Sequence, residues 1–223
     1  LYFLRHMADN NKEQLTPLFQ QYFGLCEANP DCLVLMQCGD FYEAYGQGAE
    51  IFARDGEILL TAKEGGAGRK IPMAGIPLHT LEAYLRVLVA KGHRVAVAEQ
   101  MALPSECKGI VPREVTRIVT AGTILDTQSL DDKDHNYLVC LVFGKNARVG
   151  FSAADVGTGD FYGCEFALDN IEQISEEVLR FQPSELIYVE QVADSKISDL
   201  IENLKAQMRT LSLVPRIFSA SNE

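Results

Sequence analysis

Met36-Gln37-Cys38-Gly39-Asp40-Phe41-Tyr42-Glu43 is the stretch around which the first half of the chain is organised. The apolar run that leads into it predicts a buried strand, and Gly39 allows the chain to turn at little conformational cost. If the residues after the turn are extended, Phe41 and Glu43 point to one face and Tyr42 to the other. The stretch therefore predicts an aromatic ring and a carboxylate side by side at the edge of a sheet.

A purely structural interpretation of these residues stays open at this point. Phe41 would then be an ordinary core residue, because phenylalanine is among the residues most often buried. Glu43 would be an ordinary solvated residue of a strand. The surrounding segments have to decide between the two interpretations.

The segments on either side predict a mixed α/β sheet. Thr16-Pro17 is a typical helix start and Asn29-Pro30 a typical stop, so a helix lies between them, with Leu18, Tyr22, Leu25 and Cys26 on one stripe. Helical spacing recurs in the apolar residues from Leu81 to Val89, which His79 or Thr80 precedes as a cap and Gly92 ends. The remaining predicted elements are strands at 33–38, 58–61, 94–100 and 114–120 and a short helix at 48–54.

A glycine-rich loop at 63–70 carries three basic residues, Lys63, Arg69 and Lys70. It lacks the Gly-Lys-Ser/Thr ending of a nucleotide-binding loop, and Ile71-Pro72 follows it instead of a helix. Two interpretations remain: a mobile hairpin whose cations contact backbone phosphates, or a solvated loop tip. His79 has no second histidine near it in the sequence, so we expect no metal site there.

The second half predicts a separate α/β domain of a different order. Residues 121–136 are rich in polar turn formers and predict a linker. Beyond it, strands are predicted at 137–143, 148–155 and 159–166, then a helix at 170–180, a strand at 185–189, a helix at 196–208 and a strand near 211–214. Three strands followed by helix, strand and helix is the order of a ribonuclease-H-like fold.

Length, charge and cysteine content limit the classes of protein to consider. The chain has 223 residues and a formal net charge of −11. Residues 1–122 hold 12 Lys/Arg and 14 Asp/Glu, a net of −2, and residues 123–223 hold 8 and 17, a net of −9. The acidity therefore lies in the second half, which leaves room for a local basic face in the first. Since phosphate contacts supply much of the affinity for nucleic acid, a chain with this charge is expected to bind DNA only weakly by itself.

No apolar run reaches membrane-spanning length and no signal peptide is visible, so we expect a cytoplasmic protein. Residues 1–6 are interpreted as a remnant of cloning before a native start at Met7. The six cysteines form no close Cys-x-x-Cys pair, which predicts buried, reduced thiols and no metal site.

Five segments in register carry a family resemblance. They are 16–22, 39–43, 71–79, 95–100 and 117–123, among them Gly39-Asp40-Phe41-Tyr42-Glu43 and Ile71-Pro72-Met73-Ala74-Gly75-Ile76-Pro77-Leu78-His79. Together they resemble the N-terminal part of the bacterial MutS family of DNA mismatch-recognition proteins. The resemblance implies a mismatch-recognition domain at 7–120, a linker at 121–136 and a ribonuclease-H-like connector domain at 137–223. One departure is Cys38, where the family often has a bulkier apolar residue.

The resemblance also implies roles for particular residues. Phe41 would enter the minor groove and stack on a mispaired base, and Glu43 would hydrogen-bond that base. Lys63, Arg69, Lys70 and His79 are further candidates for contacts with the DNA backbone or groove. The expected partners are mismatched double-stranded DNA and, through the connector, a MutL-type protein.

For the chain itself the resemblance implies no catalysis and no cofactor. ATP and Mg²⁺ would bind in C-terminal domains that are missing here. The longer protein would be a homodimer and this chain a monomer.

Two other classes of function stay open for the second half. Asp155-Val156-Gly157-Thr158-Gly159-Asp160 is similar to the acidic turn of phosphate-binding ATPases and ribonuclease-H-like nucleases. Two-metal cleavage needs several convergent carboxylates, whereas Asp155 and Asp160 are followed only by Glu190 on a later strand. A tight hairpin turn explains the same residues without chemistry. The acidity of this half also suits a protein-docking surface.

Overall fold

The computed structural model describes residues 15–124, 135–144, 146–190, 195–208 and 212–216, and the elements given below are those of these ranges. The chain divides into two compact units, with the boundary between Thr120 and Ala121. Each unit is an α/β unit built on a sheet of mixed parallel and antiparallel strands, as the sequence predicts. The predicted cloning remnant at 1–6 and most of the predicted linker, 125–134, lie outside the described residues.

Unit 1 is built on a six-stranded sheet with the strand order β3-β4-β2-β1-β5-β6. Strands β1 and β5 run parallel, and the other neighbouring strands run antiparallel. The strands are β1 Leu33–Cys38, β2 Phe41–Tyr45, β3 Thr61–Glu64, β4 Lys70–Pro77, β5 Val95–Gln100 and β6 Arg113–Val119. The helices are α1 Pro17–Ala28, α2 Gln47–Asp55 and α3 Leu81–Ala90, with short 3-10 turns at Leu78–Thr80 and Pro104–Glu106.

Helix α1 covers one face of this sheet and is centred on two aromatic residues. Phe19 and Tyr22 are buried against Val34, Met36 and Tyr45. Leu18, Leu25 and Cys26 of the predicted stripe are only half-buried at the margin of this cluster. The helix therefore points a more aromatic face at the sheet than the sequence analysis predicted.

The β3–β4 hairpin differs from the prediction. Strand β3 begins at Thr61, whereas the sequence analysis placed a strand at 58–61. Leu59 and Leu60 are 81% and 44% exposed, so this apolar run does not enter the core. Pairing with β4 determines the strand instead, with Thr61 opposite Met73, and it places Lys63 inside β3 rather than in a loop.

Unit 2 is built on a five-stranded sheet with the order β11-β10-β7-β8-β9. Strands β7, β8 and β9 form an antiparallel meander, and β10 and β11 add in parallel beside β7. Helices α4 and α5 contribute to one core cluster with the sheet. The elements are β7 Tyr137–Phe143, β8 Arg148–Asp155, β9 Phe161–Ala167, α4 Ile171–Phe181, β10 Glu185–Glu190, α5 Ser195–Gln207 and β11 Ser212–Arg216. Three antiparallel strands followed by two parallel ones fit the predicted ribonuclease-H-like order.

Both described ends of the predicted linker are hydrogen-bonded within unit 2. The Gly122 N–H donates to the buried Glu185 carboxylate at 3.0 Å. The Asn136 side-chain amide donates to the carbonyl oxygens of Ala121 at 3.0 Å and Ile124 at 3.2 Å. Residues 121–124 and 135–136 are thus part of this unit rather than a free tether.

The six cysteines are all free thiols. Five are half-buried and Cys164, on the edge strand β9, is exposed, so the prediction of buried thiols is wrong for Cys164 and only partly right for the other five. Burial raises the pKa of the Cys26 thiol to about 11. Across the described ranges, no helix combines the length and the apolar character that crossing a membrane requires.

Candidate recognition edge of unit 1

Phe41 lies at the end of the sheet where β1 turns into β2. The turn passes through Gly39, which has the positive φ of +62° that favours glycine. Phe41 is paired with Cys38 on one side and with Pro77 on the other. Phe41 is 46% exposed, so it is a surface residue and the interpretation as ordinary core is wrong.

Glu43 lies two residues further along β2 and is clamped by two donors. Lys63 Nζ donates to Glu43 Oε2 at 2.8 Å, and the Tyr45 hydroxyl donates to the same oxygen. The Glu43 side chain is only 12% exposed and the Lys63 side chain 38%. The interpretation of Glu43 as an ordinary solvated residue is therefore wrong as well.

Tyr45 supports this clamp from inside the core. Its ring meets those of Phe19 and Tyr22 edge-on, with centroids 4.9 Å apart in each pair. The hydroxyl also lies 3.4 Å from Cys38 Sγ. The pKa of Tyr45 is raised far above its usual value, mainly by burial and further by hydrogen bonds with Cys38 and Glu43. The hydroxyl therefore remains a neutral donor.

The opposite strand leaves room for Glu43. Gly75 on β4 faces Glu43, and a Cβ at this glycine would lie 3.1 Å from Glu43 Cγ and 3.2 Å from the Tyr42 carbonyl oxygen. Arg113 is buried and binds the carbonyl oxygens of Gln37 and Val111, which braces the end of β1 next to the turn. Gly75 and Arg113 thus pack and hydrogen-bond against the end of the sheet that bears Phe41.

Tyr45 and Arg113 are not among the site residues predicted from the sequence. Tyr45 follows Phe41 by four residues on an alternating strand, so its position on the same face was available as a signal. Arg113 had no such signal, because the backbone groups that it binds come from β1 and from its own flank, and only the folded sheet places them together.

The other candidate residues are distributed around this region. Lys63 belongs to the Glu43 clamp. Lys70 begins β4 and is exposed, and Arg69 is half-buried beside the hairpin tip. His79 is exposed in the 3-10 turn after β4, so it is not a core residue; Thr80, rather than His79, occupies the cap position of α3.

Asp155 in unit 2 has a structural role in the β8–β9 hairpin. Its carboxylate accepts hydrogen bonds from the backbone N–H groups of Gly157 at 2.8 Å and Thr158 at 3.3 Å on one oxygen. The other oxygen binds the Asn136 N–H at 3.2 Å and lies 3.0 Å from His135 Nδ1. This use of the carboxylate favours the hairpin interpretation over metal chemistry; the side chain of Glu190 lies outside the described residues.

Two open mixed sheets, with an exposed phenylalanine and a clamped carboxylate at the end of the first sheet where β1 turns into β2, define an α/β protein with a candidate binding site. Residues 16–128 match the family model for MutS domain I, and residues 136–222 match MutS domain II. The chain belongs to the MutS family.

Relatives from several bacteria bear the name DNA mismatch repair protein MutS. The one from Halothermothrix orenii is 40% identical over 183 residues, which are 82% of this chain and 20% of that protein. The one from Syntrophomonas wolfei is 43% identical over 173 residues, 77% of this chain and 20% of that protein. The one from Caldanaerobacter subterraneus is 37% identical over 214 residues, 95% and 24%. The chain thus spans about a fifth to a quarter of the length of these relatives.

Proposed function

We propose that this chain serves in DNA mismatch repair and that its first unit recognises mispaired bases. The observation that carries the proposal is the half-exposed Phe41 at the start of β2, two residues from the clamped Glu43. Membership in the MutS family and relatives that bear the name of a mismatch repair protein support this assignment.

The proposed role of Phe41 is that of a wedge. Apolar side chains that enter the minor groove unstack a base step at a cost of a few kcal/mol and kink the duplex. A mispaired step is already poorly stacked and deforms more easily, so the same insertion costs less there. In this proposal the protein distinguishes mismatched from matched DNA by the difference in deformation cost.

The proposed role of Glu43 is to bind the displaced base. A carboxylate near phosphates is repelled, so it must recover that cost from a hydrogen-bond donor on the base. A stacked, fully paired base offers no such partner, and Glu43 thereby disfavours matched sites.

We further propose that unit 2 acts as a connector that binds a MutL-type partner. ATP and Mg²⁺ are assigned to parts of the longer relatives that this chain does not span. The proposal includes no catalysis by the described residues, a homodimeric state for the longer protein and a cytoplasmic location.

Equilibrium binding of the full chain to a duplex with one G·T mismatch and to its matched counterpart, at fixed low salt, tests the wedge. We expect a preference for the mismatch in the wild type and its loss in Phe41→Ala. A 2-aminopurine next to the mismatch should brighten with the wild type, as it unstacks, and not with the variant.

Phe161→Ala is the matched control, because Phe161 is also an exposed strand phenylalanine, 71% exposed, but lies in unit 2. It should keep the preference for the mismatch. Equal binding of both duplexes by the wild type, or an unchanged preference in Phe41→Ala, contradicts the proposal.

A further inference from the structure

Lys63 reaches Glu43 from a different strand. Strand β4 lies between β2 and β3, so the lysine side chain crosses one strand to bring Nζ to 2.8 Å from Glu43 Oε2. The same ammonium group lies 3.4 Å from the Tyr45 hydroxyl and 5.6 Å from the centre of the Tyr45 ring. Three contacts thus hold the ammonium group of Lys63 beside Glu43 and Tyr45.

The two donors on Glu43 select an orientation of its carboxylate. Both the Tyr45 hydroxyl and Lys63 Nζ bind Oε2. An ionised carboxylate has two oxygens that accept hydrogen bonds. When one oxygen is fixed by two donors, the other is held in a defined direction for an additional donor.

The charge of Lys63 serves the same end. A carboxylate at a DNA groove faces the negative potential of the phosphates, which opposes its approach. The ammonium of Lys63, 2.8 Å from Glu43 Oε2, attracts the carboxylate, and the low exposure of Glu43 strengthens this pair relative to one in bulk water, so the pair holds Glu43 in place against that repulsion.

We propose that Lys63 is a positioning residue for Glu43, which it holds in a defined orientation, rather than a phosphate contact. The inference rests on the proposed function, since it concerns how Glu43 acts on a mispaired base. A positioning residue and a phosphate contact affect DNA binding differently, so binding measurements can separate the two roles.

The experiment measures binding of G·T and matched duplexes at several salt concentrations by the full chain and by Lys63→Met. Loss of a positioning residue should lower the ratio of mismatch to matched affinity by about threefold to tenfold, the size of one typical net hydrogen-bond contribution. Matched-duplex affinity and the salt slope should stay close to the wild-type values. Loss of a phosphate contact would instead weaken both duplexes alike and reduce the salt slope by about one.

A double-mutant cycle with Glu43→Gln tests whether the two residues act as a unit. In the Glu43→Gln background, Lys63→Met should have no further effect on the ratio. Lys63→Arg, which keeps the charge and the N–H donors, should retain most of the ratio, and a matched-duplex affinity of Lys63→Met close to the wild-type value shows that Lys63→Met has not simply unfolded the hairpin. Lys91→Met is the matched control, since Lys91 is an exposed lysine at the end of α3, next to the start of β5 and away from the Phe41 turn.

Three results overturn the inference. They are a uniform loss of affinity with a lower salt slope, an unchanged ratio in Lys63→Met, and full additivity with Glu43→Gln. Phe41→Ala, measured in parallel, separates the two proposals: if it abolishes the preference and Lys63→Met does not, only the role of Lys63 fails. If the wild type shows no preference, the proposed function fails and this inference with it.

Discussion

Tyr45→Phe tests the clamp through stability, independently of DNA. The substitution removes one buried hydroxyl and keeps the ring, so the edge-on contacts with Phe19 and Tyr22 are retained. What is lost is the hydrogen bond to the Glu43 carboxylate and the weaker contacts with Cys38 Sγ and Lys63 Nζ, both at 3.4 Å. The loss of free energy of unfolding in Tyr45→Phe therefore measures the hydrogen bonds of the hydroxyl and not the packing of the ring.

The charge of the acceptor determines how much stability the loss of the hydroxyl removes. A hydrogen bond to a charged group contributes about 1.5–3 kcal/mol net, and one between neutral groups about 0.5–1.5 kcal/mol. Tyr22→Phe is the matched control, because Tyr22 is equally buried and its hydroxyl donates to the neutral Val34 carbonyl oxygen at 3.3 Å. Tyr45→Phe should thus lower the free energy of unfolding of unit 1 by about 1 kcal/mol more than Tyr22→Phe.

Native-state hydrogen exchange measures this free energy for each unit separately. Amides of β1 and β2 report unit 1, and amides of β7 and β8 serve as the reference in unit 2. A loss below about 0.5 kcal/mol in Tyr45→Phe would refute the argument, because it would lie at the bottom of the range even for a neutral hydrogen bond. An equal loss in a Glu43→Ala background would refute it too, since the two residues would then not be coupled.

Two further predictions concern the other constrained positions. Burial alone would raise the pKa of Asp155, but His135 and three backbone N–H groups hold this pKa below its usual value. The contribution of Asp155 to the free energy of unfolding of unit 2 is therefore present above a pH of about 4 and is lost as the pH falls through the lowered pKa. In acid titrations followed by circular dichroism, Asp155→Asn should remove this pH dependence and lower the free energy of unfolding by about 1–3 kcal/mol at neutral pH. Asp160→Asn is the control and should change that free energy by less than about 0.5 kcal/mol. Equal effects of the two variants would contradict the hairpin role of Asp155. Gly75→Ala should press a Cβ against Glu43 Cγ, 3.1 Å away, and lower the mismatch preference about threefold, ~0.7 kcal/mol, in the duplex-binding assay. Gly163→Ala, whose Cβ would meet nothing nearer than 3.7 Å, should not change that preference, and an unchanged preference in Gly75→Ala would show that Glu43 is not confined by β4.

Much of the fold follows from patterns that are local in the chain. Strand β1 occupies 33–38 and strands β7 and β8 occupy 137–143 and 148–155, the ranges that the sequence analysis predicts. Helix α3 buries Leu81, Leu85, Leu88 and Val89, the positions that helical spacing selects apart from the half-buried Tyr84. Burial on one side of an element imposes a period on the sequence, and that period can be read without knowledge of the partner.

The start of β3 shows where such patterns stop being sufficient. Leu59 and Leu60 have the character of a strand, but they are exposed, and the strand begins only at Thr61. Its limits are set by the backbone of β4, with which it pairs from Thr61 to Glu64. Pairing is a property of two segments, so one apolar run cannot define it.

The sequence by itself determined that Phe41 and Glu43 share a face at the end of a strand, because alternation along an extended chain needs no other information. Only the tertiary structure decided that the Phe41 ring is left exposed and that Glu43 is clamped. The clamp joins residues twenty positions apart in sequence, Lys63 and Glu43. Their meeting depends on β4 lying between β2 and β3 with a glycine opposite Glu43. Ion pairs and close approaches of this kind are set by strand order and register, which arise from packing of the whole sheet.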